Sequence, residues 1–274
     1  MIKIKTVSKG AELISVEKDG IERMHDGQKD WNRHSPVLFP IVGKLKDNKT
    51  VIEGKEYMMN QHGFARNMDF EIIGENSYVL RYNEETLKMY PFKFELYISY
   101  EVDHNSVTTK YRVVNKDDKM IYFGLGGHPA FNCDYVTGKY WLEFEEIEDD
   151  MEIYQLENGL IKDTCENKSL FIKENKLFLN NNTFENDAII IKNIKSRVVY
   201  LKTEEKTILS LEFKNFPYLG IWSKPNAHFI CLEPWLNTAD KVSTNGNYEE
   251  KDNLVELNQG QQFVAEYTVE FYDK

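Results

Sequence analysis

Three short stretches of the chain carry side chains able to move protons. In YFGLGGHPAF, residues 122–131, His128 follows Gly126 and Gly127 and precedes Pro129. Paired glycines let backbone pass close to a ligand, and the proline biases His128 toward an extended conformation, so the direction of its imidazole is well determined. In QHGFAR, His62 again adjoins a glycine, with Arg66 four residues on. In ICLEPW, Glu233 lies between apolar residues and a proline. A carboxyl in that company is expected to be part-buried. Desolvation then raises its pKa toward values useful to a general base, unless a cation offsets it. Taken singly, a strand His or Glu is more often structural than catalytic, and Tyr122, Phe123, Phe131, Trp222 and Trp235 are more often core than ligand platform.

Other chemistries lack their signatures. The run GLGG at 124–127 has no third glycine where a dinucleotide loop needs one, and Pro129 with two aromatics follows it in place of a helix. No G-x-S-x-G elbow, phosphate-binding P-loop or H-E-x-x-H occurs, and His25, His34, His62, His104, His128 and His228 are not spaced as a local metal cluster. Cys133, Cys165 and Cys231 are odd in number, far apart and outside any C-x-x-C, so three reduced thiols are expected, with neither a disulfide framework nor a zinc site.

The elements that must position these residues read as β almost throughout. In FELYISYEV, Phe94, Leu96, Ile98, Tyr100 and Val102 share one face, and Glu95, Tyr97, Ser99 and Glu101 the other. After the turn Asp103-His104-Asn105 the run SVTTKYRVV alternates in the same way, which predicts a hairpin over 94–114. Near the end, Phe263, Ala265, Tyr267, Val269 and Phe271 fall in register. Turn residues punctuate the chain at Asp19-Gly20, Glu53-Gly54, Asn158-Gly159, Asn245-Gly246 and Gln259-Gly260. Such spacing suits a sandwich or another multi-strand antiparallel fold. Helix signals are few, the best being Asn83 to Tyr90, stopped by Pro91. No internal repeat, linker or composition break divides residues 1–274, so one domain is expected.

Bulk properties narrow the partners. With 274 residues, 41% apolar and 13% aromatic, the chain can bury a sizeable core. Its net charge of −11 disfavours phosphate backbones and anionic lipid, so neither nucleic acid nor membrane is an expected partner. The opening MIKIKTVSKGAELISVEKDG has no continuous apolar core of the kind a signal peptide or membrane span needs, and a cytoplasmic protein is expected.

The segments HSPVLFPIVGKL, QHGFAR, FGLGGHPAFNC, FPYLGIWSKP and CLEPW, in this order from residue 34 to 235, resemble the aldose 1-epimerase (galactose mutarotase) family, and within it the LacX-like branch. GGHPAF and LEPW are the most specific parts. The resemblance implies an all-β fold, a large antiparallel β-sandwich of the supersandwich type with few short helices, holding a sugar in an open cleft on one sheet with no metal and no organic cofactor. It implies that the chain interconverts the α and β anomers of an aldohexose by opening and closing the ring. His128 then matches the general acid that protonates the ring oxygen, and Glu233 the general base that takes the anomeric hydroxyl proton.

Acid and base must exchange roles in this chemistry, so pKa values near neutrality, an imidazolium at His128 facing Glu233 across the sugar, and a bell-shaped pH profile are expected. His62 matches a second histidine that donates to the sugar near its ring oxygen. Arg66 offers a fork suited to paired hydroxyls or a phosphate. Lys44 stands where the family commonly has arginine, which bears on substrate choice. Asp187, in ENDAII, matches a sugar-binding aspartate, and Trp222 and Lys224, in GIWSKP, are expected to line the cleft. Two alternatives stay open: a hexose-6-phosphate mutarotase gripping phosphate with Arg66, Lys44 or Lys224, and a sugar-binding or sensing protein without chemistry. The sugar's identity and the oligomeric state are not determined by these residues.

Overall fold

The structure, a computed structural model, describes residues 1–148, 151–167 and 172–272, and the side chains of 165–167, 172 and 173 also lie outside that description. Two large antiparallel sheets carry the fold. The ten-stranded sheet runs, edge to edge, through Ile172–Lys173, Lys176–Phe178, Tyr140–Phe144, Val198–Thr203, Thr207–Glu212, Gln262–Phe271, Ser106–Asn115, Phe94–Val102, Ser77–Arg81 and Glu71–Gly74. The eight-stranded sheet runs through Leu160–Asn167, Glu152–Glu157, Ile189–Lys192, Tyr218–Trp222, Phe229–Trp235, Gly126–Gly127 and Val37–Leu38, with Ala130–Asn132 also paired to Phe229–Trp235. This is the antiparallel β-sandwich expected from the alternation. Among the described residues, no helix is long and apolar enough to cross a membrane.

Alternation works where one face is wet. In Phe94–Val102 and Ser106–Asn115 every second residue from Phe94 to Tyr100 and from Val107 to Val113 is buried, and the two strands pair residue for residue as the predicted hairpin. Val102 departs from this pattern at 44% exposed, because it sits at the hairpin tip, beyond the edge of the core. The helix Glu84–Met89 begins at a capping box in which Asn83 Oδ1 accepts from the Glu85 and Thr86 N–H groups and Thr86 Oγ1 accepts from the Asn83 N–H. It ends at Tyr90, directly before Pro91.

The two sheets bury one contiguous cluster between them. Leu96, Ile98, Val113, Ala265 and Val269 come from one side and Ile191, Leu219, Ile221, Ile230 and Leu232 from the other. The strand Phe229–Trp235 is buried along its whole length, on both faces. Ile230 and Leu232 point into the sandwich, whereas Cys231 and Trp235 belong to smaller clusters on the outer face of the eight-stranded sheet. That outer face, where residues 231, 233 and 235 emerge side by side, carries the site. Cys133 and Cys231 are free and buried; the side chain of Cys165 lies outside the described residues.

Candidate active site

One antiparallel register brings the acid and base candidates together. Ala130 pairs with Cys231 and Gly126 with Trp235. Carried through the residues between, where the Leu232 N–H donates to the Pro129 carbonyl, the same register sets His128 directly opposite Glu233. Directly opposed side chains on one face touch, and His128 Nε2 lies 3.1 Å from Glu233 Oε2. The two groups are thus in contact, where an arrangement across the width of a sugar was expected. Gly126 and Gly127 serve packing at this point. A Cβ on Gly126 would lie 2.8 Å from Trp235 Cδ1, and one on Gly127 2.6 Å from Tyr267 Cε1. Their missing side chains let the backbone approach Trp235 on one face and the opposite sheet on the other, in place of the close approach to a ligand that the sequence suggested.

Aromatic rings fix the imidazole. Trp31 stacks on His128 at 4.8 Å between centroids, and Trp222 meets it edge-on at 5.9 Å. Phe229 stacks behind Trp31 at 5.7 Å. Burial then governs charge. The side chains of His128 and Glu233 are 7% and 1% exposed. Burial, with Arg66 and Arg33 adding to it, pushes the His128 pKa down to about 3. Burial likewise drives the Glu233 carboxyl well above the ordinary carboxylate range, against the pull of Trp235 and Arg66. Both shifts favour the uncharged form, of imidazole and of carboxyl alike. For His128 the value lies below the near-neutral one expected from the chemistry, whereas for Glu233 the upward direction is the one expected from its burial. Glu233 Oε2 and His128 Nδ1 are buried without a hydrogen-bond partner among the described residues.

His62 is held by backbone. Its N–H donates to the Gly43 carbonyl at 2.8 Å, and the Gly43 N–H donates back to His62 Nδ1 at 3.1 Å. Gly43 follows Pro40, whose carbonyl accepts from the Gly124 N–H and the Tyr248 hydroxyl, so this loop is anchored in the core. The His62 ring stands perpendicular to His128 at 5.5 Å. Burial, with His128, Arg66 and Arg33 nearby, pushes its pKa well below the usual histidine value.

These groups face a cleft of about 410 Å³ lined by Trp31, His62, Arg66, His128, Asp187, Trp222, Glu233 and Trp235, among others. That volume lies in the range of small-molecule sites. Arg66 donates to the Gln61 carbonyl at 2.6 Å, and its Nε is buried without a hydrogen-bond partner among the described residues. Burial and the adjacent Arg33 lower its pKa to about 10, which leaves it a cation. Asp187 is exposed at the rim, where its carboxylate accepts from the Ala188 N–H.

Two of the expected residues are placed differently. Lys44 lies against the cleft's rim, its Nζ donating to the Asn158 carbonyl at 3.1 Å. Asn158 and Gly159 are both at positive φ, the two-residue hairpin turn that the Asn-Gly dipeptide favours, and Gly159 lines the cleft beside the lysine stem. The Lys224 side chain is exposed and does not line this cleft; its carbonyl accepts from the Tyr135 hydroxyl. Trp31 is the residue that pattern reading missed. Its only signal is an isolated tryptophan within the polar stretch HDGQKDWNRHS.

Comparison with known proteins identifies the family. The model of the family described as aldose 1-epimerase matches residues 2–270. Two proteins of Lactococcus lactis subsp. lactis, the plasmid and chromosomal forms of LacX, are each 32% identical over 276 residues, covering 93% of this chain and 91% of theirs. Among solved structures, a galactose mutarotase related enzyme from Lactobacillus acidophilus is 31% identical with a TM-score of 0.91, over 100% of this chain and 95% of that one. A galactose mutarotase-like protein from Lactobacillus casei is 29% identical with a TM-score of 0.93, over 99% and 97%. With its sequence and its fold matched along nearly the whole length, the chain belongs to the aldose 1-epimerase family.

Proposed function

We propose that the protein is a mutarotase that interconverts the α and β anomers of an aldohexose, with His128 as general acid and Glu233 as general base. The observation that carries this reading is the 3.1 Å contact between His128 Nε2 and Glu233 Oε2 in the wall of the cleft. In a cyclic hemiacetal the ring oxygen and the anomeric hydroxyl share one carbon. An acid serving one and a base serving the other must therefore be neighbours, as these two are.

The charges follow from that proximity. A bound sugar draws one proton across the pair, giving imidazolium beside carboxylate. His128 then protonates the ring oxygen while Glu233 takes the anomeric hydroxyl proton, and the C1–O5 bond breaks to give the free aldehyde. The pair is left as neutral imidazole and protonated carboxyl, the forms that burial favours. Rotation about C1–C2 and reversal of both transfers closes the ring as the other anomer. His62, whose Nδ1 accepts from the Gly43 N–H and which therefore carries its proton on Nε2, donates to the sugar. Trp31 and Trp222 offer apolar faces to the sugar's C–H surface, and Asp187 and Arg66 take hydroxyls. The free thiols Cys133 and Cys231 suit a reducing cytoplasm.

A second reading, a hexose-6-phosphate mutarotase, is favoured by Arg66 alone, a cation in the cleft backed by Arg33. Polarimetry of freshly dissolved α-D-galactose and α-D-glucose, beside glucose-6-phosphate, separates the two. Acceleration of the free sugars that falls by orders of magnitude in His128→Asn and Glu233→Gln supports the first. Turnover of the phosphate alone supports the second. Binding of hexose with the spontaneous rate unchanged would sink both in favour of a non-catalytic sugar binder.

A further inference from the structure

Beside the proton-transfer pair sits a third potential ligand that the reaction does not use. Cys231 is two residues before Glu233 on the same strand, so both emerge on the same face, and Ala130, two residues after His128, pairs directly with it. Donor atoms of His128, Cys231 and Glu233 all lie within 4.8 Å of one another, and all three residues are buried. Two of the three side chains have a buried polar atom that makes no hydrogen bond among the described residues, His128 Nδ1 and Glu233 Oε2. Cys231 is fully buried and packs with Ala130, Ala227 and Phe229 beneath Trp31 and Trp222.

We propose that His128, Cys231 and Glu233 form a site for one thiophilic divalent cation, zinc before others, and that its occupancy switches the proton-transfer pair off. Ligands on one tetrahedral zinc sit about 3.3–3.8 Å apart, given Zn–N and Zn–O near 2.1 Å and Zn–S near 2.3 Å. The imidazole nitrogen and carboxylate oxygen, at 3.1 Å, stand a few tenths of an ångström inside that spacing, and the thiol sulfur within 4.8 Å of them stands outside it, so small side-chain adjustments bring all three onto one ion. Nitrogen, sulfur and oxygen together select zinc over magnesium or calcium. Charge balances as well. The dication is met by one thiolate and one carboxylate, whose protons leave to solvent as it binds, so the occupied site carries no net charge. The fourth position faces the cleft, open to water or a sugar hydroxyl. Binding engages the same imidazole and carboxylate that the sugar needs, so ion and sugar compete. The inhibition rests on the mutarotase reading, whereas the binding does not.

Cobalt(II) is the probe, titrated into the sugar-free protein in a phosphine-reduced buffer and followed in the near ultraviolet. The expected result is a thiolate-to-cobalt charge-transfer band that saturates at one ion per chain, is lost in Cys231→Ala or Cys231→Val, and is weakened in His128→Asn, where the thiol remains. Zinc then slows mutarotation by the wild type and acts at least tenfold more weakly on the Cys231 variants, and its effect is relieved by high sugar. A wild-type protein with no such band, or Cys231 variants that retain it, would overturn the site even if mutarotation itself were established. Equal sensitivity to zinc in wild type and Cys231 variants would overturn the switch.

Discussion

The Gly43 N–H donates to His62 Nδ1, and that one bond decides what His62 can do. An imidazole that accepts at Nδ1 and is held neutral by burial carries its proton on Nε2, so it is a donor to whatever occupies the cleft. A glutamine keeps a donor at this reach but loses the backbone anchor. A leucine loses both. His62→Leu should therefore cut kcat about a hundredfold, the usual cost of one aimed donor, and His62→Gln should recover part of that loss. Steady-state polarimetry on both variants measures it. Equal activity in wild type and His62→Leu would remove His62 from the reaction.

His128 Nε2 and Glu233 Oε2 are in contact at 3.1 Å, so on the mutarotase reading the pair titrates as a unit. A second proton enters only as the pH falls toward about 3, the value to which burial drives His128. The last proton leaves only above the raised range of Glu233. The dependence of kcat/KM on pH is thus expected to be a broad plateau, flat through the ordinary histidine range near 6.5, with any narrow bell displaced outward. Replacing either partner should lower kcat by about 10²–10⁴, and replacing both should cost little more than one. A sharp loss of activity centred near pH 6.5 in a fully folded protein would contradict the neutral pair.

For stability the same burial has the opposite consequence. His128 is neutral when folded but protonates in the unfolded chain below its ordinary value. The unfolded state therefore binds more protons, and stability falls as pH drops from about 6.5 toward 3. His62, depressed by the same cause, adds to the slope. His128→Asn should flatten part of it in urea unfolding followed from pH 7 downward. An unchanged slope would place the lost stability elsewhere.

Trp31 stacks on the His128 ring and lines the cleft, so it excludes water from the imidazole and offers a face to the sugar. Trp31→Ala should raise KM by about tenfold, in line with the roughly 0.5–1.5 kcal/mol of an aromatic contact. It should also let the His128 pKa climb back toward the ordinary value as solvent enters. Proton NMR titration of the histidine C–H signals reads the second effect independently of activity. A His128 signal that does not move would show that the stack shields nothing.

How much of this was legible in the chain depends on where each signal is stored. The hairpin from Phe94 to Asn115 and the strand Gln262–Phe271 could be read because one face of each is buried and the other is wet. Phe229–Trp235 could not be read that way, since both its faces are covered and alternation vanishes. The register that opposes His128 to Glu233 joins residues about a hundred positions apart and leaves no local trace. The motif resemblance supplied their company; the strand pairing supplies the contact. Lys44 and Lys224 adjoin motif residues, but adjacency does not tell which way a side chain turns, and both turn to other tasks. Trp31 sits in a loop, where no periodicity marks it.

The cleft's rim depends on an ion pair that the motifs do not touch. Lys251 Nζ lies 2.8 Å from Asp240 Oδ1, with both side chains only 5% exposed. Asp240 also accepts from the Lys46 N–H through Oδ2, donates its own N–H to the Lys44 carbonyl, and accepts from the Ile161 N–H at its carbonyl. It thereby ties the Gly43–Lys44 rim to the strand Leu160–Asn167, beside Ala239 in the cleft wall. Burial lowers the Lys251 pKa and Asp240 opposes that shift. Removing the carboxylate alone would strand a buried cation, which costs about 3–5 kcal/mol. Asp240→Asn should accordingly lose that much in urea unfolding, and the double variant Asp240→Asn/Lys251→Met should regain most of it because the charge is gone with its partner. The double variant should also keep a near wild-type KM, since an Asn side-chain oxygen can still accept from the Lys46 N–H and the backbone bonds to Lys44 and Ile161 are untouched. If Asp240→Asn unfolds within about 1 kcal/mol of wild type, the rim is held by its backbone bonds alone and the pair adds nothing.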